Sequence, residues 1–590
     1  SPGVAFLARI TIRVLSKPII VGLGVHFASQ RAGLALPVSA TVILAVASVP
    51  LYVAYRVWRE DRRQREEAAV MGARLAPSVP GKRFGNWDLL QIIMHNRAHG
   101  YPAGDWFDEL MAQYGPVISV RVLWTDTLLT AWPEHIKQIL ATDFDNYEKG
   151  ITSANRPQSG VFNSDGEMWK FHRAMTRPFF SKEKVSHFDI FDHHADLVVS
   201  IMKSRLRAGY SVDFQDLIGR FTMDSASEFL FGTCANSLRA NIPYAHNVAS
   251  PPVQHTSADA NKFIEAFNES MQIIAEREHI GSIWPLWEMR CDKTKAPMQV
   301  VNAFLEPVIQ AAVEKREEKA KAVGGAEKAG EAETLLEELL NSTSAGRDTT
   351  MHVMTMVVYL CASRGSGVHP LTSAPSLSMY PAVCARLRAE VLAHLGPTRR
   401  PTYDDIKDMK YLRAVINESM RLYPSVPFNV RDSIRATTWP SPDPTEKPIY
   451  IPARAKTAYS VFMMHRRKDM WGPDAEEFDP DRFLDERLKK YLLNNSFQFL
   501  PFNAGPRICL GQQFAYNEMS FMLIRLLQAF RSFALDEAAF PPAARPPAAW
   551  KGAPGRKGID RFRPKLHLTM YTTVRASCRA LSDADLFAVV

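Results

Sequence analysis

The most constraining stretch of this chain is Phe502-Asn503-Ala504-Gly505-Pro506-Arg507-Ile508-Cys509-Leu510-Gly511. It sets one cysteine immediately ahead of a helix-forming run, Gln512 to Phe530. A thiol in that place feels the positive end of the helix dipole and unpaired backbone N–H groups. Both favour the thiolate, the form that ligates metal. Gly505 and Gly511 let backbone approach something flat and bulky, and Arg507 offers a fixed positive charge to an anionic partner. A lone cysteine is more often a small buried hydrophobe. These neighbours shift the reading to a thiolate under a haem, where it pushes electron density toward O–O cleavage.

The rest of the chain limits the alternatives. At 590 residues it exceeds one ordinary domain, and one large enzyme domain with an appendage fits. The net charge of +9 suits solubility, an anionic membrane surface or an acidic protein partner. There is no zinc-finger spacing and no basic repeat, so no nucleic-acid partner is expected. The six cysteines (Cys234, Cys291, Cys361, Cys384, Cys509, Cys578) are scattered without a C-x-x-C pair. That argues against a zinc site or a disulfide framework and for reduced thiols.

Residues 1–75 read as a membrane anchor and a charged linker. Ala35 to Tyr55 is uncharged, mostly apolar and about long enough to span a bilayer. Arg56, Arg59, Arg62, Arg63 and Arg65 follow, beside Trp58 and two tyrosines, so the domain beyond is expected on the cytosolic side, at the endoplasmic reticulum. Pro18 to Ser29 is too short to span by itself and reads as an interfacial helix or a second pass. Arg9, Arg13, Lys17 and Arg31 complicate the topology. Prolines at Ala76-Pro77-Ser78-Val79-Pro80-Gly81 would stiffen the exit from the membrane.

Helical periodicity dominates residues 76–590: Gly166 to Phe180, Asp196 to Leu206, Ala258 to Arg277, Met298 to Lys319 with a kink or break at Pro307, Thr334 to Cys361, and Tyr380 to Leu395. Strand-like runs are fewer: Val117 to Val122, Pro448 to Ile451 and Lys565 to Tyr571. The expected class is mainly α with small β-sheets. Ala322 to Glu333 reads as an exposed connector. Ala362 to Leu377, rich in Ser, Gly, Pro and Thr without periodicity, reads as an insertion of the kind a translated intron would leave.

Three further constellations carry chemistry. Glu418 and Arg421 share a helix face at i,i+3, weak evidence alone, but Phe478-Asp479-Pro480-Asp481-Arg482-Phe483 follows. Trp169 and Arg173 project together at i,i+4; the plainer reading is amphipathic packing with a snorkelling arginine. Ala345-Gly346-Arg347-Asp348-Thr349-Thr350 places a glycine and a threonine pair inside a strong helix, a broken local rule that points to function. A polar cluster between helices is its plainer reading.

The spacing F-x-x-G-x-R-x-C-x-G at Phe502 to Gly511 resembles the haem-binding signature of the cytochrome P450 superfamily, and the other motifs occur in that family's order over roughly Val79 to Tyr571. The resemblance implies haem b with Cys509 as the axial ligand. It implies Trp169, Arg173, Arg507 and, on looser alignment, Arg431 as holders of its propionates. Phe502 and Gly511 would lie against the proximal side. Glu418, Arg421 and Arg482 would form a buried triad beneath the haem. Asp348 and Thr349 would feed protons to bound dioxygen. The family takes electrons from NADPH through a separate reductase, which would dock on a basic face; cytochrome b5 is a further candidate donor. The Ala-Gly-Arg-Asp-Thr-Thr and Cys509 motifs together look like the fungal alkane and fatty-acid ω-hydroxylase group. A long apolar substrate is therefore expected, with aromatic or terpenoid compounds as the alternative. A reductase-independent haem isomerase or dehydratase is a third reading, and Asp348-Thr349 argues against it. A catalytically dead haem protein is a fourth, if the insertion breaks the fold. Asn341-Ser342-Thr343-Ser344 is more polar than the family's usual turn, and Arg156 to Phe162 and Ile242 to Ser257, the substrate-contacting segments, carry no readable motif.

Overall fold

A computed structural model describes residues 1–590 except 35, 102–104, 151–160, 187, 233, 241, 245–247, 249–257, 324–346, 365–379, 567–568, 573–576 and 582–590. The fold is mainly α, with small sheets at its margins. Two helices lead: α1, Pro2–Arg31, and α2, Val38–Val70. Among the described residues α2 is the one helix long and apolar enough to cross a membrane. Pro37 precedes it, so the apolar helix starts later than Ala35. The expected linker also proves helical. Opposite charges at i,i+3 and i,i+4 pair along it (Arg62–Glu66 at 2.7 Å, Arg63–Glu60 at 2.6 Å), and α2 runs unbroken through the arginine-rich stretch.

The core is organised around two helices buried on almost every side. The Gln512–Ala529 helix is buried from Phe514 to Gln528 apart from Ala515 and Arg525. The helix described over residues 347–361 is buried throughout except at Thr349. A helix apolar all round belongs in the centre of a large domain. Asp189–Arg207 and Pro381–Leu395 pack against Gln512–Ala529, and Lys410–Leu422 packs against Pro381–Leu395.

Of the expected helices, Gly166–Thr176 ends earlier than expected, its last four residues tightening into a 3₁₀ turn at Arg177–Phe180. Lys295–Val323 carries Pro307 inside without ending there, so of the expected kink or break the break does not occur. Lys565 to Tyr571 is two strands rather than one: Pro564–Leu566 and Met570–Thr572 form a hairpin with Lys565 opposite Tyr571. Residues 334–346, most of the connector at 322–333, and 365–377 of the expected insertion lie outside the described residues; Ser363–Arg364 pairs parallel with Ser532–Leu535.

The larger sheet runs Ser78–Val79, Val117–Val122, Thr125–Thr130, Lys456–Ser460, Phe428–Ser433, Tyr147–Glu148. Lys456–Ser460 lies parallel to Thr125–Thr130 and antiparallel to Phe428–Ser433, with Thr457 opposite Arg431. This sheet places Arg431 in the interior, 2% exposed.

Candidate functional site

The Cys509 loop is built by two backbone bonds. Ile508 N–H donates to the Gly505 carbonyl at 3.0 Å, closing a single 3₁₀ turn, and Cys509 N–H donates to the Phe502 carbonyl at 3.0 Å. The turn needs left-handed backbone at Asn503 (φ 63°) and Gly505 (φ 66°). The reason for Gly505 differs from the expected one. A Cβ there would lie 1.8 Å from the Leu140 carbonyl oxygen, so the close approach is to protein backbone. Asn503 accepts from the Tyr459 hydroxyl at 3.1 Å, fastening the loop to the larger sheet. The Phe502 ring packs on Tyr516, centroids 5.1 Å apart. A Cβ on Gly511 would meet the Phe180 ring at 3.4 Å.

Cys509 is open on one side and packed by protein on the others. Burial pushes its thiol pKa up; the Gly511 N–H and the Arg173 charge pull the other way without prevailing. The expected thiolate-favouring field is present, but in the protein alone desolvation outweighs it. A bound metal would reverse that balance, because coordination itself stabilises the thiolate.

Four basic and aromatic side chains gather beside this loop. Arg173 leaves the Gly166–Thr176 helix and donates to the Ile508 carbonyl at 3.0 Å. Trp169, one turn earlier and buried, has guanidinium groups near its ring, Arg507 at 4.5 Å and Arg173 at 5.7 Å from the centroid. Arg507 bonds to the Ser164 carbonyl (3.1 Å) and to Asp165 (2.5 Å). Its pKa is held down to about 10, first by burial and then by the charges of Arg431 and Arg173, against the opposing pull of Asp165. Arg431 and Arg173 thus lie close enough to Arg507 to repel it, Asp165 pairs with Arg507, and among the described residues the buried Arg507 Nε has no hydrogen-bond partner, which leaves a local surplus of positive charge. That surplus fits a group bearing carboxylates, and a cysteine sulfur beside it fits an iron porphyrin. Sequence reasoning missed Asp165. Its signal was an acidic residue at the start of the Trp169 helix.

The triad residues meet. Glu418, Arg421 and Arg482 are all fully buried. Arg421 donates from Nε to Glu418 Oε2 at 2.6 Å and from Nη2 to Oε1 at 2.8 Å. Arg482 Nε lies 3.6 Å from Glu418 Oε1 and pairs more closely with Asp474, at 2.8 Å. Arg421 spends its other donors on the carbonyls of His465, Ala475 and Glu477. The charges thus knot three chain segments together.

Asp348 and Thr349 lie at the start of the described part of their helix; Ala345 and Gly346 fall outside it. Asp348 is 5% exposed and paired with its neighbour Arg347 at 3.0 Å. Arg347 also donates to Asn268 at 3.2 Å, so this carboxylate is tied to the Ala258–Ile280 helix. The Thr349 carbonyl accepts from Ser425 Oγ at 3.0 Å. Arg347 is a second residue the sequence reading left unassigned. Most of Arg156 to Phe162 and Ile242 to Ser257, and all of 341–344, lie outside the described residues.

Comparison with known proteins agrees with this geometry. The family described as Cytochrome P450 matches residues 80–551. Cytochrome P450 52A3-A of Candida maltosa is 34% identical over 482 residues, covering 78% of this chain and 86% of that protein. Cytochrome P450 52E1 of Candida apicola is 33% identical over 415 residues, 68% of this chain and 75% of that protein. Cytochrome P450 monooxygenase himC of Aspergillus japonicus is 31% identical over 532 residues, 86% and 84%.

Proposed function

The chain belongs to the cytochrome P450 family, and on that premise we propose that Cys509 is the axial ligand of its haem and that its substrate is a long-chain fatty acid or alkane, hydroxylated at the chain end. It is an oxidoreductase, a haem-thiolate monooxygenase supplied by NADPH through a reductase. The family evidence supports this activity over the isomerase reading. When bound, haem supplies the activation of dioxygen and the insertion of one oxygen atom into a C–H bond.

The protein's part is to hold and to move protons. Arg173, Arg507 and Arg431 would take the two carboxylates of the haem, and the Trp169 ring lies against two of those guanidinium groups. Phe502 and Gly511 border the sulfur side. Thr349 presents a hydroxyl, and Asp348, kept in place by Arg347, supplies the proton that the hydroxyl passes on. Glu418, Arg421 and Arg482 hold the segments on which the Cys509 loop rests. The single observation that carries the assignment is the meeting of three arginines and one cysteine at the end of a buried helix.

The division at residue 75 into anchor and catalytic domain, residence in the endoplasmic reticulum membrane with that domain in the cytosol, and cytochrome b5 as an additional donor belong to the same proposal. They are supported by the apolar start of α2 and the arginines after it. The test is spectral. Reduced protein with carbon monoxide is expected to give the thiolate-type Soret band. Fatty acids or alkanes should shift the resting spectrum, and turnover with NADPH and reductase should give terminal alcohols. A spectral shift confined to polycyclic aromatics or terpenoids would overturn the substrate class.

A further inference from the structure

α1 and α2 form an antiparallel hairpin, and we propose that both cross the bilayer, α1 only by packing against α2 because alone its apolar stretch is too short to span, so that the Ser1 end of α1 lies on the same side as the catalytic domain. This rests on the reading of α2 as a membrane span. Both outer ends of the hairpin are fastened to the same domain. At the α1 end, Ser1 Oγ donates to the Met289 carbonyl at 2.6 Å and Gly3 N–H to the Glu288 carbonyl at 3.2 Å, and α1 packs on the Gly281–Trp287 turn. At the α2 end, Asp61 pairs with Arg121 at 2.7 Å and Glu67 accepts from the Tyr450 hydroxyl. A crossing made by α2 must then be reversed by α1.

The register agrees with lipid on both helices. Gly22 faces Ala45, where an added Cβ would come within 3.4 Å, while large apolar side chains turn outward: Ile19, Ile20, Leu23 and Phe27 on α1, and Val42, Ile43, Val46 and Leu51 on α2, each more than half exposed. Small residues inside and large ones outside is the packing of membrane helices, and in water it would leave a costly apolar surface. Lys17 Nζ sits over the Tyr52 ring at 4.0 Å. The last cation of α1 before its apolar stretch is therefore level with the aromatic end of the α2 span, where a snorkelling lysine belongs. Between Pro18 and Tyr55 the only Lys or Arg is Arg31, at the turn of the hairpin. Arg9, Arg13 and Lys17 join Arg56, Arg59, Arg62, Arg63 and Arg65 on the other side. That asymmetry puts the catalytic side in the cytosol and the connection between α1 and α2 across the membrane.

The test uses the full chain in sealed microsomes. One form carries an epitope tag ahead of Ser1, another a flexible loop with an Asn-Xaa-Thr acceptor inserted after Gly33. The carbon monoxide spectrum of each confirms folding. The expected results are complete loss of the tag to external protease and glycosylation of the Gly33 acceptor. A protected tag, or an unmodified acceptor in a chain that resists carbonate extraction, would overturn the hairpin alone. Extraction by carbonate would overturn the membrane span on which it rests.

Discussion

Replacing Arg421 with methionine should be among the most damaging single changes outside the Cys509 loop. Arg421 is fully buried and all five of its donors are engaged: two to Glu418, and the rest to the carbonyls of His465, Ala475 and Glu477. Methionine fills much of the volume and restores none of these bonds. Glu418 would keep the Asp479 N–H at 3.0 Å and the distant Arg482 Nε at 3.6 Å. Stranding one member of a buried pair costs about 3–5 kcal/mol, and a single carbonyl left unsatisfied adds about 1–3 kcal/mol. The lower bound of about 4 kcal/mol is close to a thousandfold in the folded-to-unfolded ratio. It is a large share of the roughly 5–15 kcal/mol that domains have. The assay is the urea midpoint of the haem-loaded protein, read by loss of the thiolate-type Soret band. Glu418→Gln with Arg421→Met should cost less than the sum of the two single changes, because the stranded charge is gone. A loss under about 1 kcal/mol for Arg421→Met, or strict additivity in the double variant, would refute the knot.

Gly505→Ala should cost more than Gly209→Ala. Both have positive φ, but only at Gly505 does the new Cβ strike backbone, so the thiolate-type band should fall there and persist in the other. Cys509→Ser should abolish the thiolate spectrum while the fold, followed by circular dichroism, survives. Thr349→Ala should keep haem but divert reducing equivalents to peroxide, measured as NADPH consumed without product. His465 gives a pH test. Burial first, then Arg421, depresses its pKa to about 3, and its Nε2 accepts from the Leu500 N–H, so it must be neutral to fold. The unfolded chain takes up the proton near pH 6.5, so stability falls as pH drops from 6.5 to 5, by about 1.4 kcal/mol per unit. Asp108, raised by burial to about 7, acts in the opposite sense over that window. The readout is therefore how the stability difference between the chain and His465→Gln changes with pH, which should be by about 2 kcal/mol between pH 7 and pH 5.

Much of this was legible in the sequence because it is local. The Cys509 loop, the Trp169–Arg173 spacing and the Glu418–Arg421 spacing each fit within a few residues, and the buried helices announce themselves as long helix-forming runs. What escaped is set by distant chain. Gly505 is required by Leu140, more than three hundred residues away, and no local pattern reports that contact. Asp165 counts only once the fold sets it against Arg507. The Pro564–Leu566 and Met570–Thr572 pair reads as one strand because Lys565 to Tyr571 alternates polar and apolar without a break, so no local signal marks where the chain reverses. The charged part of α2 looked like linker because helical ion pairs are visible only when i,i+4 partners are matched by sign.

The unbroken length of α2 makes it a drive shaft rather than a leash. A flexible tether would let bilayer and enzyme turn independently. Here any change in the angle of the span passes rigidly along a helix braced by the Arg62 and Arg63 ion pairs, and through Asp61 and Glu67 to Arg121 in the larger sheet and Tyr450 in the Ile449–Ile451 strand. Bilayer thickness sets the tilt of a span of fixed length. Lipid composition therefore steers the pose in which this catalytic domain meets the membrane surface.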